Sequence, residues 1–201
     1  FFTFGMTIFG TFLTRSGIVS SVHAFAQSNV GTYFVVYLFL LIAGSTLLLW
    51  RRRPDLPAET HLESFASRES AFLFNNWILL ALLFAVLWGT LFPVISEALT
   101  GEKITVGAPF FNQVSTPMGL ILIFLTGAGP LFAWRRTSKE GFRRNFGVPA
   151  ICAGVILISV AAFGVVDFYA LMSLTLCGFA AGAIVLEYSR GIAARRRTSA
   201  E

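Results

Sequence analysis

Long apolar runs that contain almost no charge constrain this chain more than any other feature of its sequence. A helix rises about 1.5 Å per residue, so about 20 apolar residues cross the hydrocarbon core of a bilayer. Backbone groups in lipid must be satisfied internally, and these runs are too long and too uniform for barrel strands. We therefore predict an all-α, polytopic integral membrane protein with about six transmembrane helices, at residues 1–19, 32–50, 72–95, 117–134, 148–166 and 168–188.

The composition agrees with this fold class. Only 12% of the 201 residues are charged, against about 25% in soluble domains. The chain starts with Phe1 rather than Met, and its first residues are already apolar. We interpret residues 1–201 as a single transmembrane helical region and as a fragment of a larger chain.

The basic residues predict the orientation of the spans. Two of the 15 lysines and arginines, Arg15 and Lys103, fall on one side of the predicted membrane. The other thirteen fall in three segments on the opposite side, which the positive-inside rule assigns to the cytoplasm. These are Arg51, Arg52, Arg53, Arg68, Arg135, Arg136, Lys139, Arg143, Arg144, Arg190, Arg195, Arg196 and Arg197. Because topology explains the net charge of +5, we expect a lipid bilayer and no nucleic acid as partner.

Several glycines, prolines and polar residues predict local features of the spans. Pro117 is expected to begin span four, and residues 97–116 are expected to form an outward loop. The short connection at Asp167 requires an antiparallel hairpin of spans five and six. Gly178 and Gly182 form a GxxxG pattern that favours packing within the chain.

Two further polar and small-residue segments lie near span ends. Residues 127–130, Gly-Ala-Gly-Pro, are expected to bend span four or to admit a close neighbour. Asn75 and Asn76 are expected either to cap the start of span three or to bond a neighbouring helix.

His23 and Arg15 are the candidate functional residues. His23 lies in the first outward loop, and imidazole is a good ligand for haem iron. Arg15, near the outer end of span one, carries a guanidinium suited to carboxylates such as haem propionates. Without further evidence, we interpret His23 as a surface histidine and Arg15 as an arginine that extends to the lipid headgroups. His61 is interpreted as a solvated cytoplasmic residue. No catalytic residue is assigned, since the sequence has no HExxH, GxSxG or phosphate-loop motif. A transporter, a cofactor-handling protein and a scaffold stay open on this evidence.

Residues 10–17 (GTFLTRSG) and 21–26 (SVHAFA) resemble a signature of the CcmF/NrfE/CycK family of cytochrome c-type biogenesis proteins. Within residues 107–112 of this sequence, Ala108 departs from the family pattern, which has Glu or Pro after the glycine. Four further stretches fit the family in the same order: residues 67–70 (SRES) with Asn75 and Asn76, residues 89–93 (GTLFP), residues 107–112 (GAPFFN) and residues 127–130 (GAGP).

The resemblance implies a haem lyase subunit of the bacterial inner membrane. It implies that the His23 loop is periplasmic, that the arginine-rich loops are cytoplasmic, and that haem b is the substrate. Haem would arrive from the chaperone CcmE and be attached to apocytochrome c, with a CcmH-type subunit handling the apocytochrome. His23 would be an axial ligand to the haem iron, and Arg15 is a candidate contact for a haem propionate.

The same resemblance limits what this chain is expected to do alone. The family's tryptophan-rich segment, its transmembrane histidines and its second periplasmic histidine do not occur in this sequence. We therefore expect no lyase activity from the isolated chain, and its status as an enzyme stays open. The alternatives are a haem or small-solute transporter and a membrane scaffold for the assembly complex.

Overall fold

The chain folds into α-helices throughout the part that the structure describes. A computed structural model describes residues 1–19, 30–56, 62 and 64–198. A short 3-10 helix at Arg53–Asp55 follows the second of six α-helices, and no strand occurs in these residues. The helices are α1 (Phe2–Arg15), α2 (Val30–Arg51), α3 (Arg68–Thr100), α4 (Ala108–Leu131), α5 (Lys139–Ala162) and α6 (Phe168–Thr198).

Five of these helices, α2 to α6, are long and apolar enough to cross a membrane. Each of the six predicted spans overlaps one helix, and the predicted class of all-α multi-pass membrane protein is confirmed. Helix α1 has only 14 residues, fewer than the roughly 20 that a span needs. It ends at Arg15 because the chain turns at Ser16 and at Gly17, whose φ of 76° favours glycine.

The apolar side chains of the long helices face outwards. On α2, Tyr33, Phe39 and Trp50 are each about 70% exposed, at 74%, 69% and 72%. Leaving such surface in water is unfavourable by about 25 cal/mol per Å². Contact with lipid removes this cost, so the exposure pattern fits a membrane-spanning protein.

The prediction for the start of span four is wrong. Helix α4 begins at Ala108, with Pro109 in its first turn, and Pro117 lies inside the helix. Helix α3 continues to Thr100 and ends before Gly101, whose φ is 75°. The predicted loop of residues 97–116 therefore shrinks to a connection at residues 101–107. Pro109 is the residue whose missing N–H is harmless at a helix start.

The chain divides into two compact units. The first unit comprises Phe1–His61 and Trp88–Val106, within the described residues. In it α1 and α2 run antiparallel. A Cβ placed on Gly31, near the start of α2, would lie 3.7 Å from Ser16 Cβ, and one placed on Gly5 would lie 3.8 Å from Leu41 Cδ2. The end of α1 therefore lies beside the beginning of α2.

The second unit comprises Leu62–Leu87 and Gly107–Glu201, and its core is formed by α4 and α6. Ala128 and Leu131 of α4 are buried with Phe179 and Ala183 of α6. The close approach predicted for residues 127–130 is confirmed. A Cβ on Gly127 would lie 2.9 Å from Ala180 Cα.

Helices α5 and α6 form the predicted hairpin. Asp167 Oδ1 accepts a hydrogen bond from the Ala170 amide at 2.8 Å and caps α6. The GxxxG pair packs within the chain, as expected. A Cβ on Gly178 would lie 2.7 Å from Ile156 Cγ1, and one on Gly182 would lie 3.0 Å from Cys152 Sγ.

Candidate functional site

Arg15 is exposed at the C-terminal end of α1. The antiparallel pairing of α1 and α2 puts this end next to the beginning of α2 at Val30. Arg51, Arg52 and Arg53 follow at the other end of α2, about 30 Å away along a helix of 22 residues. Arg15 and the arginine triplet therefore lie at opposite ends of this helix pair, as the predicted topology requires.

His23 and His61 both lie outside the described residues. The predicted ligand role of His23 thus stays a prediction. Within the described ranges, no group of three or more His, Cys, Asp or Glu residues could hold a metal ion. In the sequence, His23 follows Val19 by four residues and precedes Val30 by seven.

The structure brings together two of the sequence motifs in the second unit. The Arg68 guanidinium donates through Nη2 to the Pro130 carbonyl, and the Arg68 amide donates to the Ala133 carbonyl at 2.9 Å. The last carbonyls of a helix have no partner within it. The start of α3 therefore satisfies carbonyls at and just after the end of α4, and these bonds bring the SRES and GAGP segments into contact.

The cap of α3 is a serine and not an asparagine. Ser67 Oγ accepts from the Ser70 amide at 3.1 Å and donates to the Ser64 carbonyl at 2.7 Å. The predicted capping role of Asn75 and Asn76 is wrong because α3 begins seven residues before Asn75. Asn76 is exposed, whereas Asn75 lines a cleft between α3 and α4.

This cleft, which we call the Arg68 cleft, has a volume of about 300 Å³. That volume lies at the lower end of the range for ligand pockets, about 300–1,000 Å³. Half of its lining is contributed by each helix: Arg68, Ala71, Phe72 and Asn75 from α3, and Leu125, Thr126, Gly129 and Pro130 from α4. It combines a cation, an amide and a hydroxyl with apolar walls.

A polar network at the same end of the unit was not predicted. Asn145 Nδ2 donates to the Leu131 carbonyl at 2.8 Å, and Asn145 Oδ1 accepts from Arg190 Nη1 at 3.0 Å. Arg190 also pairs with Glu187 at 3.0 Å. In the sequence, Asn145 and Arg190 are polar residues that flank two adjacent predicted spans, but nothing in the sequence indicates that their side chains meet.

These contacts put the basic residues of the second unit at one end. The start of α3, the end of α4, the start of α5 and the end of α6 meet there through hydrogen bonds. All ten lysines and arginines described in this unit lie at or beyond that end: Arg68, Arg135, Arg136, Lys139, Arg143, Arg144, Arg190, Arg195, Arg196 and Arg197. This charge asymmetry is the pattern from which membrane orientation is read.

The two remaining motifs lie in or beside helices. Residues 89–93 belong to α3, with Pro93 inside the helix. Gly107 is the N-cap residue of α4, so most of residues 107–112 are helical and not loop. The rings of Phe110 and Phe111 pack edge to face, with their centroids 5.4 Å apart.

Comparison with known proteins identifies related sequences. The chain is 38% identical over 164 residues to the cytochrome c-type biogenesis protein CycK of Rhizobium meliloti, covering 81% of this chain. It is 39% identical over 161 residues to the cytochrome c-type biogenesis protein CcmF of Haemophilus influenzae, covering 78%. A probable cytochrome c-type biogenesis protein of Escherichia coli, NrfE, is 36% identical over 161 residues, covering 79%.

The aligned regions make up 24% of CycK, 24% of CcmF and 29% of NrfE, so the chain spans about a quarter of the length of these relatives. No protein-family profile matches the chain, and no solved structure matches it. Over the region that it shares with these relatives, the chain belongs to the CcmF/CycK/NrfE family of cytochrome c-type biogenesis proteins.

Proposed function

We propose that this chain acts in cytochrome c maturation, as the part of a haem-handling membrane protein that presents His23 to haem on the periplasmic side. The observation that carries the proposal is the relationship to CycK, CcmF and NrfE, whose names all state cytochrome c biogenesis. The haem is haem b, and it is substrate rather than resident cofactor. Catalysis of attachment would belong to the larger assembly.

His23 is proposed as an axial ligand of the haem iron. A neutral imidazole nitrogen binds haem iron well, and a ligand on a connection between spans is accessible to soluble partners. Of the two histidines in the chain, only His23 falls in the motif that resembles the family signature. In the sequence, His23 belongs to the ten residues between Val19 and Val30, close along the chain to Arg15.

Arg15 is proposed as a contact for a haem propionate. Its guanidinium presents several N–H donors in a planar fork that matches a carboxylate. The exposed position of Arg15 at the end of α1 supports this role. An exposed ion pair alone is weak, so Arg15 would orient haem rather than provide most of its binding energy.

The proposed location is the bacterial inner membrane, with the His23 segment in the periplasm and the arginine-rich segments in the cytoplasm. The ten basic residues at one end of the second unit support this orientation. Haem would come from CcmE, and the recipient would be apocytochrome c, brought by a CcmH-type subunit. A periplasmic His23 is compatible with these partners.

The two alternative functions are less well supported. A transporter of haem or of a small solute would be expected to have broken helices at the bilayer midplane. In the described residues, each of α2 to α6 runs as one unbroken helix. A scaffold that only recruits partners would not need His23.

The test is a maturation assay with the protein expressed at its natural full length. His23→Ala is expected to abolish most holocytochrome c formation and to reduce co-purifying haem, and Arg15→Gln is expected to reduce both partially. His61→Ala is the matched control because it removes the other histidine, and Lys103→Gln is the control for Arg15.

Normal holocytochrome c and unchanged haem with His23→Ala would contradict the ligand role. If haem is lost but capture of the haem chaperone is unchanged, His23 binds haem rather than the partner. Loss of chaperone capture with normal haem content would instead support the scaffold. Haem uptake by sealed vesicles containing this protein alone would support a transporter.

A further inference from the structure

The Arg68 cleft lies at the end of the second unit that carries its ten basic residues. Three acidic residues in the described part of that end, Glu69, Glu140 and Glu187, leave the end strongly positive. Glu187 is already paired with Arg190. An anionic ligand is therefore favoured over a neutral or cationic one at this end.

Two hydrogen-bond donors in the cleft are not used by the described protein. Arg68 uses Nη2 for the Pro130 carbonyl, but its Nε is buried and has no partner in the part of the chain that the structure describes. Asn75, two turns further along α3, makes no hydrogen bond with any described residue. Of these two donors only the Arg68 Nε is buried, and a buried charged donor without a partner costs more than the about 1–3 kcal/mol of a neutral one. Asn75 is half-buried, so its amide can donate to an acceptor in the cleft.

The third polar group in the cleft has the opposite requirement. Thr126 Oγ1 donates its proton to the Leu122 carbonyl of its own helix at 2.8 Å. Its free lone pairs can then only accept a hydrogen bond. The cleft therefore fits a ligand that has acceptor oxygens near Arg68 and Asn75 and a hydroxyl donor near Thr126.

The remaining walls of the cleft are apolar and open towards the outside of the helices. Ala71 and Leu125 line it together with Phe72, which is 57% exposed. Asn75 lies about 10 Å along α3 from Arg68. Along α3 the lining passes from Arg68 through the apolar Ala71 and Phe72 to the amide of Asn75, and the apolar residues offer a surface for acyl chains.

We propose that the Arg68 cleft binds the headgroup of an anionic phospholipid that carries hydroxyl groups, of the phosphatidylglycerol class. Its phosphate oxygens accept from Arg68, a glycerol ester oxygen accepts from Asn75, a headgroup hydroxyl donates to Thr126, and its acyl chains lie along Phe72 and Leu125. The bound lipid completes the contact between the start of α3 and the end of α4. This site is independent of the haem site proposed above.

The test uses the full-length protein in nanodiscs containing phosphatidylcholine with a minor fraction of phosphatidylglycerol, and native mass spectrometry counts the retained lipids. Wild type is expected to retain phosphatidylglycerol selectively. Arg68→Gln is expected to weaken this retention about tenfold, which corresponds to about 1.4 kcal/mol. Asn75→Leu is expected to weaken it severalfold.

Asn75→Leu keeps the result interpretable if Arg68→Gln also disturbs α4, because Asn75 bonds nothing in the described fold. Arg143→Gln is the matched control, since it removes one exposed positive charge from the same end but outside the cleft. Equal retention in wild type, Arg68→Gln and Asn75→Leu would overturn the proposal. An equal loss with Arg143→Gln would also overturn it, by showing attraction to charge alone. Displacement of the lipid by inorganic phosphate would assign the cleft to free phosphate and overturn the lipid assignment.

Discussion

Asn145 on α5 accepts a hydrogen bond from Arg190 on α6 at 3.0 Å and donates one to the Leu131 carbonyl at the end of α4. A single amide therefore joins three helices at the positively charged end of the second unit. It also supplies a partner to one of the terminal carbonyls that α4 cannot satisfy itself.

Replacing Asn145 by Leu is expected to lower the free energy of unfolding by about 1–3 kcal/mol, because the Leu131 carbonyl loses this partner and Arg190 retains its contact with Glu187 but loses the one with Asn145. The measurement is unfolding in mixed micelles with increasing denaturing detergent. Ser159→Ala is the control, since Ser159 on the same helix bonds only the Val155 carbonyl of its own helix. Equal effects of the two changes would contradict the assigned role.

A double-mutant cycle isolates the contact between Asn145 and Arg190. Asn145→Ala and Arg190→Ala are expected to couple by about 0.6 kcal/mol, and by no more than about 1.7, as for other hydrogen bonds between membrane helices. Additive effects would show that the contact seen at 3.0 Å contributes no stability.

Gly127→Ala is expected to destabilise the protein by about 1–3 kcal/mol through overpacking. Its new Cβ would meet Phe179 at 2.8 Å and the Ala180 backbone at 2.9 Å, and backbone cannot move aside locally. Gly119→Ala on the same helix is the control, because nothing lies within 4 Å of its Cβ position. The control is expected to be neutral or stabilising by up to about 1 kcal/mol. If both variants unfold alike, α4 and α6 do not pack as described.

The sequence predicts the class of this fold well because lipid leaves few choices. Apolar length identifies each span, and basic residues indicate a common end. The helix start at Ala108 is missed because α4 has two prolines that fit an N-terminus by type, Pro109 and Pro117. Only the extent of the helical backbone before Pro117 distinguishes them.

The candidate site is predicted less completely than the fold. Arg15 is found at a helix end, as expected. The pairing of Arg68 with Pro130, 62 residues apart, depends on how α3 approaches α4. No periodicity within either helix encodes that contact, so the sequence did not predict it.

The proposed orientation predicts which loops are accessible from outside the cell membrane. In a background lacking both cysteines, through Cys152→Ala and Cys177→Ala, Lys103→Cys should react with an impermeant maleimide in intact spheroplasts. Arg136→Cys should react only after lysis. Both positions are exposed in the structure, so local burial does not explain a difference. The reverse pattern would invert the topology and place His23 in the cytoplasm.

The most direct test of the central claim is chemical rescue of the proposed haem ligand. The full-length His23→Gly protein should lose its haem absorption band, and added imidazole should restore the band and part of the holocytochrome c yield, because free imidazole can take the vacant axial position. His61→Gly should show neither loss nor rescue. A His23→Gly protein that keeps a normal haem spectrum without imidazole would contradict the claim that His23 ligates haem.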